Sequence, residues 1–503
     1  MKNFISIVNF IRGCEPREKM DLTEPVKNQI ALAEKYNLPT TFLFQYDALI
    51  NDEFLNLVKN CDDKYEFGLW LETPKPLVEK VGLKWRGREG FDWDWYSNVG
   101  MLVGYTTEER KLMLDECMRC FNEKFGYYPK TVGCWSLDGF SINHLESNYN
   151  IDAVLICKEQ WGSDGYSLWG GYYSEAYYPC KNNMFCPASS TKTQITVPVF
   201  RMLGTDPIDQ YMNSLGAKYQ GVETLEPSWK AGKDPAWVNW FLTNYFDDNN
   251  IGINYAQAGQ ENSFGWWRME KGLNLQFEQF VEKRNSGKIV FINSGELGRR
   301  FKEMYPITPL STTVTRKENS SAVWFNNRNY RAGLYFNNDL LLLRDVMIFD
   351  DNYRERYHDS VTETHQLFYD NLPLVDCFRW SKDGNIGGAY FYNGERRIEK
   401  ISDFETENIE ENGLIIKMKT DEGVITVKML ENKIDFIFPN DGFSVKAFIY
   451  NDSFAPTFTV KDDCILMNYN GYDYNVKVCN GVANKTEFGY DLLPNDNEFS
   501  ITF

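Results

Sequence analysis

Histidine is scarce in this chain, which carries His144, His358 and His365 in 503 residues. A Ser-His-Asp or Cys-His enzyme needs a histidine beside its nucleophile, and the Gly-x-Ser-x-Gly turn that often holds such a serine is missing. Walker-type phosphate loops and the Gly-x-Gly-x-x-Gly fingerprint of dinucleotide sites are missing too. We therefore expect a protein that works without a cofactor and without a metal ion.

Basic runs and long apolar runs are also missing. The formal net charge is −18, whereas a nucleic acid or an anionic membrane surface would require clustered Lys and Arg. No stretch approaches the length of a membrane-spanning helix. Residues 1–13 alternate as a strand does and lack the long apolar core of a secretory signal. We expect a cytoplasmic protein with neither nucleic acid nor membrane as a partner.

The cysteines form no recognisable framework. There are eleven of them, an odd and scattered set that fits reduced thiols better than disulfides. Cys117 and Cys120 form a Cys-x-x-Cys pair inside a helical pattern without a second ligand pair. We predict that both are buried helix residues; the alternative is a metal or redox site.

Strand-like apolar runs alternate with helical patterns over the first three hundred residues or so. The runs end near Phe10, Gln45, Leu71, Trp135, Cys157, Met202, Ala256 and Asn293. Residues 21–24 and 106–109 match capping boxes, Asp234-Pro235 marks a third helix start, and 268–284 has a helical apolar face. The alternation predicts an α/β fold, a TIM-like barrel of about seven or eight strands over residues 1–305.

The residue pattern changes after Pro306, from alternating strands and helices to strands and turns. Alternating strands follow one another with turn signals such as Asp383-Gly384 and Asn393-Gly394, and few helical patterns occur. We predict that residues 306–503 form an accessory region of one or two antiparallel β-sandwich domains.

Carboxylates stand just past the ends of several predicted strands, where barrel enzymes keep their catalytic groups. Asp138 follows the strand at 131–135, and we expect it to be catalytic. The other candidates are Glu15, Asp47, Glu72, Glu159, Asp206, Asp209, Glu261 and Glu296. Of these, Glu15, Asp47, Glu72 and Asp206 are predicted to bind substrate. A carboxylate at a strand end can equally be a helix cap or a solvated loop residue.

The segment Phe125-Gly126-Tyr127-Tyr128-Pro129, followed by Trp135-Ser136-Leu137-Asp138, resembles the nucleophile region of family 57 glycoside hydrolases. Asp138 stands where that family has Glu. The resemblance implies a nucleophile at Asp138. Residues 256–267 resemble the acid/base region of the same family, which implies that Glu261 is the catalytic partner of Asp138. More broadly, the chain looks like a bacterial member of the glycoside hydrolase/deacetylase barrel superfamily, whose metal-dependent deacetylases use a His-x-x-x-His pair that is missing here.

Aromatic residues make up 16% of the chain. Sugars present apolar faces that stack on flat rings, so we predict that Trp85, Trp135, Trp161 and Trp266 contact substrate, although core packing uses most tryptophans of any large protein. The loop at 84–105 is long, aromatic and acidic, and it follows the third strand on the expected catalytic side.

Three functions remain open at this point. The first is a metal-independent glycoside hydrolase or transglycosidase that acts on an oligo- or polysaccharide through Asp138 and Glu261, since glycoside hydrolysis needs only two carboxyl groups. The second is a non-catalytic glycan-binding protein on a degenerate barrel. The third is a sugar deacetylase with an unusual carboxylate metal site. The sequence predicts no oligomeric state.

Overall fold

The computed structural model describes residues 2–157, 159–160, 166–167, 176–202, 208–217, 224–246, 249–410, 412–461 and 463–503. The strands of the first part of the chain are β1 (Asn3–Ile11), β2 (Thr40–Phe44), β3 (Tyr65–Trp70), β4 (Thr131–Cys134), β5 (Ala153–Ile156), β6 (Glu159–Gln160), β7 (Tyr166–Ser167), β8 (Ala176–Tyr177), β9 (Pro179–Cys180), β10 (Asn183–Pro187), β11 (Val199–Arg201), β12 (Asn254–Ala258) and β13 (Val290–Phe291). Each predicted strand end lies within two residues of an observed one.

Eight of these strands build a nearly closed, barrel-like sheet in the order β12-β1-β2-β3-β4-β5-β11-β8, and β13 also pairs with β1. The pairs are parallel except for β11 and β8. Leu225 forms an isolated parallel bridge with Ala258 of β12. All nine residues of β1 are buried, and six of them are apolar, as expected for a parallel strand that is covered on both faces.

Helices pack around this sheet: α1 (Thr23–Tyr36), α2 (Tyr46–Leu49), α3 (Asp52–Val58), α4 (Lys75–Lys80), α5 (Ser97–Gly100), α6 (Thr107–Phe125), α7 (Gly139–Tyr149), α8 (Ile208–Met212), α9 (Pro235–Tyr245), α10 (Trp266–Asn285) and α11 (Ser294–Met304). The Thr106 capping box and the Asp234-Pro235 start are confirmed. The box predicted at 21–24 is wrong, because α1 begins at Thr23 and Asp21 accepts hydrogen bonds from the Thr23 amide and hydroxyl instead. Where the structure describes helices, none is long and apolar enough to cross a membrane.

The rest of the chain is rich in antiparallel strands: β14 (Ser311–Lys317), β15 (Ser320–Asn326), β16 (Tyr330–Asn337), β17 (Leu341–Ile348), β18 (Leu372–Asp376), β19 (Gly388–Asn393), β20 (Arg396–Arg397), β21 (Asp403–Asn408), β22 (Gly413–Thr420), β23 (Gly423–Leu430), β24 (Lys433–Ile437), β25 (Phe443–Phe448), β26 (Thr457–Lys461), β27 (Cys464–Tyr469), β28 (Tyr472–Cys479), β29 (Gly481–Lys485), β30 (Gly489–Pro494) and β31 (Glu498–Thr502). A short helix, α12 (Cys377–Trp380), lies between β18 and β19. One sheet runs β14-β15-β16-β17-β19-β25-β30-β29, and a second runs β21-β22-β23-β24-β31-β28-β27-β26.

The first of these sheets is covered on both faces. Along β15, Ala322 and Trp324 belong to the apolar core that includes the barrel helices, whereas Val323 and Phe325 belong to the core shared with the second sheet. Neighbouring side chains of a strand point to opposite faces, so this sheet lies between the barrel and the second sheet. The mixed fold with a barrel-like sheet and stacked antiparallel sheets agrees with the expected architecture; the boundary at residues 305 and 306 stays a prediction.

Candidate active site

A buried arginine organises the carboxyl end of the barrel strands. Arg12 follows β1, and its guanidinium makes two hydrogen bonds to Glu72, from Nε to Oε2 and from Nη2 to Oε1, both at 2.9 Å. Nη1 donates to Glu261 Oε1 at 2.7 Å and to Ser263 Oγ at 2.9 Å. The guanidinium carbon lies 4.0 Å from the centre of the Trp93 ring. A charge buried this deeply requires such partners.

Glu72 holds this arginine in place. Besides Arg12, its Oε1 accepts a hydrogen bond from Trp135 Nε1 at 2.7 Å. Both oxygens of Glu72 are thus engaged, and the side chain is almost fully buried. We infer that the predicted substrate-binding residue Glu72 orients Arg12 and Trp135.

The loop after β12 places Glu261 in contact with the same arginine. Gly259 has φ +108°, and a Cβ at this position would lie 2.2 Å from the Val8 carbonyl oxygen, so the tight turn requires glycine. Asn262 then joins the two strand ends, because it accepts from the Arg12 amide and donates to the Arg12 carbonyl, both at 2.9 Å. The turn therefore fixes the backbone on both sides of Glu261.

The two oxygens of Glu261 have different surroundings. Oε1 accepts hydrogen bonds from Arg12 and, at 2.5 Å, from Ser263 Oγ. Oε2 is buried and has no hydrogen-bond partner in the described part of the chain. Burial raises the pKa of Glu261 to about 7, although Arg12 and Ser263 lower it. Glu261 is thus a carboxyl group that exchanges its proton near neutral pH.

A cavity of about 790 Å³ opens above this network, within the size range of pockets that bind small molecules. Six aromatic residues line it: Trp93, Trp95, Trp135, Trp229, Phe264 and Trp267. Six charged residues line it as well: Arg12, Arg17, Lys233, Arg268, Glu226 and Glu261. The loop at 84–105 supplies Trp93 and Trp95, in agreement with its predicted position beside the site.

Glu226 is the second carboxylate of this cavity, and the sequence prediction missed it. It directly follows Leu225, which pairs with Ala258 of β12, so it stands at a strand end next to that of Glu261. Its Oε1 accepts hydrogen bonds from Gln260 Nε2 at 2.9 Å and from Trp229 Nε1 at 3.1 Å. The available signal was the short alternation Thr224-Leu225-Glu226 before Pro227, in which Leu225 makes a single bridge to β12.

Asp138 is placed differently from Glu261. It is fully buried at the start of α7, where it accepts hydrogen bonds from the Ser141 amide at 2.9 Å and the Ser141 hydroxyl at 2.7 Å. Arg110 Nη1 lies 3.3 Å from Oδ1. Among the described residues that line the cavity, Asp138 does not occur. Its catalytic role stays a prediction, and the observed contacts are those of a helix cap.

The other predicted substrate-binding residues are dispersed. Asp47 accepts hydrogen bonds from the Gly13 and Ala48 amides, and Glu15 pairs with Arg17 beside the cavity. Trp135 lines the cavity, whereas Trp85 and Trp266 pack against apolar cores. The neighbour of Trp266, Trp267, is 68% exposed and lines the cavity instead. Trp161 and Asp206 lie outside the described residues, so their roles stay predictions.

Metal-ligating side chains come together at one place in the described ranges. The ligand atoms of Cys180, Cys186 and Asp351 lie within 4.8 Å of one another. The Asp351 carboxylate already accepts hydrogen bonds from Ser189 and Thr193. Cys117 and Cys120 are both buried on α6, in agreement with the prediction for them.

Comparison with known proteins identifies the fold but not a family. No family model matches the chain, and no curated protein does either. The chain is similar to a structure from Parabacteroides distasonis described provisionally as a glycoside hydrolase/deacetylase, with 15% identity over 69% of this chain and 86% of that one and a TM-score of 0.52. The two share a fold.

Two further similarities are weaker. A structure from Mycobacterium smegmatis, described provisionally as a polysaccharide deacetylase, has 10% identity over 63% of this chain and 95% of that one, with a TM-score of 0.37. The 4-alpha-glucanotransferase from Thermococcus litoralis has 11% identity over 100% of this chain and 98% of that one, with a TM-score of 0.33. Scores this low carry no argument about the present chain.

Proposed function

We propose that the protein is a glycoside hydrolase or transglycosidase in which Glu261 donates the proton to the leaving oxygen. The observation that carries the proposal is a buried carboxyl group with a pKa of about 7 at the base of a cavity lined by aromatic rings. General acids work best when their pKa lies near the operating pH. The fold shared with the structure from Parabacteroides distasonis agrees with an activity on carbohydrates.

The hydrogen bonds of Glu261 indicate which of its two oxygens carries the proton. Oε1 accepts from a guanidinium and a hydroxyl, both of which act as donors there. The acidic proton of the neutral form therefore belongs on Oε2, the oxygen without a partner among the described residues. Oε2 is the atom that we expect to protonate the glycosidic oxygen.

Glu226 is the partner carboxylate that we favour. It lines the same cavity as Glu261 and accepts hydrogen bonds from two N–H donors, which suit an ionised carboxylate. Its role would be to attack the sugar or to activate water, the second task in glycoside hydrolysis. Asp138, which the family resemblance favours, contacts Ser141 and Arg110 instead and shares neither partner with Glu261.

The aromatic rings supply the binding surface in this proposal. Trp229 and Trp267 are well exposed, and Trp95 and Trp135 line the same cavity. Flat apolar rings of this kind pack against the apolar faces of sugar rings, and the charged groups between them can orient hydroxyl groups. We therefore expect the substrate to be an oligo- or polysaccharide.

The test compares Glu261→Gln with Glu66→Gln on aryl glycosides and natural oligosaccharides. Glu66 is a matched control, because it is a carboxylate of the same barrel that is bonded to Thr41, Thr131 and Gly295 away from the cavity. Glu261→Gln should lower kcat/KM on natural substrates by about a hundredfold or more, whereas Glu66→Gln should keep activity. Full activity of Glu261→Gln would remove the proposal. Saturable glycan binding without turnover by the wild type would support the glycan-binding alternative instead.

A further inference from the structure

Most of the charged side chains that line the cavity are cations. The whole sequence has a formal charge of −18, yet the charged residues that line the cavity in the described part include four cations, Arg12, Arg17, Lys233 and Arg268, against Glu226 and Glu261. Three of these cations pair with glutamates, so we expect an anion to be recognised by the N–H donors that remain open rather than by a net positive charge. The cations differ, however, in how many N–H donors they have left.

All three guanidinium nitrogens of Arg12 already donate hydrogen bonds within the protein. Its Nη1 donates to Glu261 and Ser263, and its Nε and Nη2 donate to Glu72. Its charge is shared between two carboxylates, and the side chain is buried. A ligand therefore has to be recognised by the other cations.

Arg17 keeps one guanidinium nitrogen, Nη1, available to donate to a ligand. Its Nε and Nη2 donate to Glu15 at 2.8 and 2.7 Å, while its Nη1 donates to none of the described residues. The Glu15 side chain is 2% exposed and that of Arg17 is 38% exposed, so the carboxylate lies behind the guanidinium. The guanidinium carbon is 5.4 Å and 5.3 Å from the ring centres of Trp93 and Trp95, which fix its position.

Arg268 lies on the α10 side of the cavity and is paired through only one hydrogen bond within the described residues. Its Nη2 donates to Glu18 at 2.8 Å, and its Nε and Nη1 donate to no residue that the structure describes. Its guanidinium carbon lies 4.4 Å from the centre of the Trp267 ring. Arg17 and Arg268 both line the main cavity and also an adjoining cavity of about 210 Å³. The two arginines thus belong to the wall between these cavities.

We propose that the glycan bound in this cavity is anionic and that Arg17 and Arg268 bind its acid groups. Guanidinium N–H groups donate strong hydrogen bonds to the charged oxygens of a carboxylate or of a sulfate ester. A neutral glycan would offer these donors only hydroxyl oxygens, which form weaker hydrogen bonds than charged oxygens do. This inference rests on the proposed function, because it names the substrate class of the same cavity.

Binding is measured by calorimetry with Glu261→Gln, so that turnover does not interfere. The ligands are matched pairs: oligogalacturonate, alginate and glucuronoxylan fragments beside their carboxyl-reduced forms, and chondroitin sulfate fragments beside their desulfated forms. In at least one pair the acidic member should bind about tenfold tighter or more, since hydrogen bonds to charged groups are the stronger ones. A preference within the first set identifies a carboxylate, and one within the second set identifies a sulfate.

Substitution links the preference to the two arginines. Adding Arg17→Gln or Arg268→Gln should reduce the acidic preference to about threefold or less, because affinity for the acidic member should fall more than affinity for the neutral one. Arg119→Gln is the control, because Arg119 is an exposed residue of α6 that pairs with Glu116 and Glu123 outside the cavity. Equal affinity within every pair, no binding of any acidic member, or a preference that survives both substitutions would overturn the inference.

Turnover by the wild type separates this inference from the proposed function. Cleavage of neutral and acidic glycans at equal kcat/KM would leave the proposed function standing and remove the inference. Tight binding of an acidic glycan through Arg17 and Arg268 without any cleavage would keep the inference and remove the proposed function.

Discussion

The unusual pKa of Glu261 makes the stability of the protein depend on pH in a defined way. The group ionises at about 7 in the folded protein and at 4.5 as an ordinary glutamate. Burial is the main cause, and it outweighs the opposing effect of Arg12 and Ser263. Because the folded pKa is the higher one, the stability linked to this proton is fully present below about pH 4.5 and is lost as the pH rises through 7.

The size of the effect follows from the gap between these values. At about 1.4 kcal/mol for each pH unit, the gap corresponds to about 3 kcal/mol. Glu261→Gln has no such proton to lose, and its amide oxygen can keep the hydrogen bonds from Arg12 and Ser263. The free energy of unfolding of this variant, relative to the wild type, should therefore rise by about 3 kcal/mol between about pH 4 and about pH 8.

Denaturant unfolding followed by tryptophan fluorescence measures this difference, since Trp93 and Trp135 contact the Arg12 network. Both proteins are compared at each pH, so titrations elsewhere cancel. Any fixed cost of the amide also cancels, because the prediction concerns only the slope with pH. A difference that stays constant with pH, or one that falls as pH rises, would refute the reasoning about Glu261.

Other predictions concern the residues around the site and the fold. Asp138→Asn should weaken the buried contact with Arg110 and lower the free energy of unfolding by about 1 to 3 kcal/mol. Its kcat/KM should stay within a few-fold of the wild-type value. A fall of kcat/KM by a hundredfold or more at unchanged stability would restore Asp138 as the nucleophile. Gly259→Ala should destabilise the protein by more than about 1 kcal/mol and lower activity, because φ is +108° and the new Cβ would meet the Val8 carbonyl; unchanged thermal unfolding and activity would contradict this. Thr106→Ala should cost about 1 kcal/mol through its capping box without changing kcat/KM, and calorimetric melting beside an activity assay checks both parts.

The barrel strands could be predicted from the sequence because they are buried on both faces. Six of the nine residues of β1 are apolar, and the first charged side chain after the strand, Arg12, marks its end. The capping box at Thr106 was predictable because its partners lie three residues apart. Features of this kind depend on residues that are close in sequence, and they can therefore be predicted from the sequence alone.

The arrangement of the site depends on contacts that are distant in sequence. Arg12 and Glu261 are separated by 249 positions, and nothing local indicates that β1 and β12 are adjacent. Glu226 was missed because Leu225 makes a single bridge to β12. Asp138 was placed correctly at a strand end, but a carboxylate there can equally cap the next helix, and Ser141 three residues later satisfies it in that role.

The central claim is that Glu261 protonates the leaving group, and a leaving-group series tests it most directly. The loss of kcat/KM caused by Glu261→Gln is measured on glycosides of one sugar whose leaving groups range from dinitrophenol to simple alcohols. A dinitrophenolate departs without a proton, so the account predicts a small loss there and a loss of about a hundredfold or more for the alcohols. An equal loss across the whole series would contradict the claim.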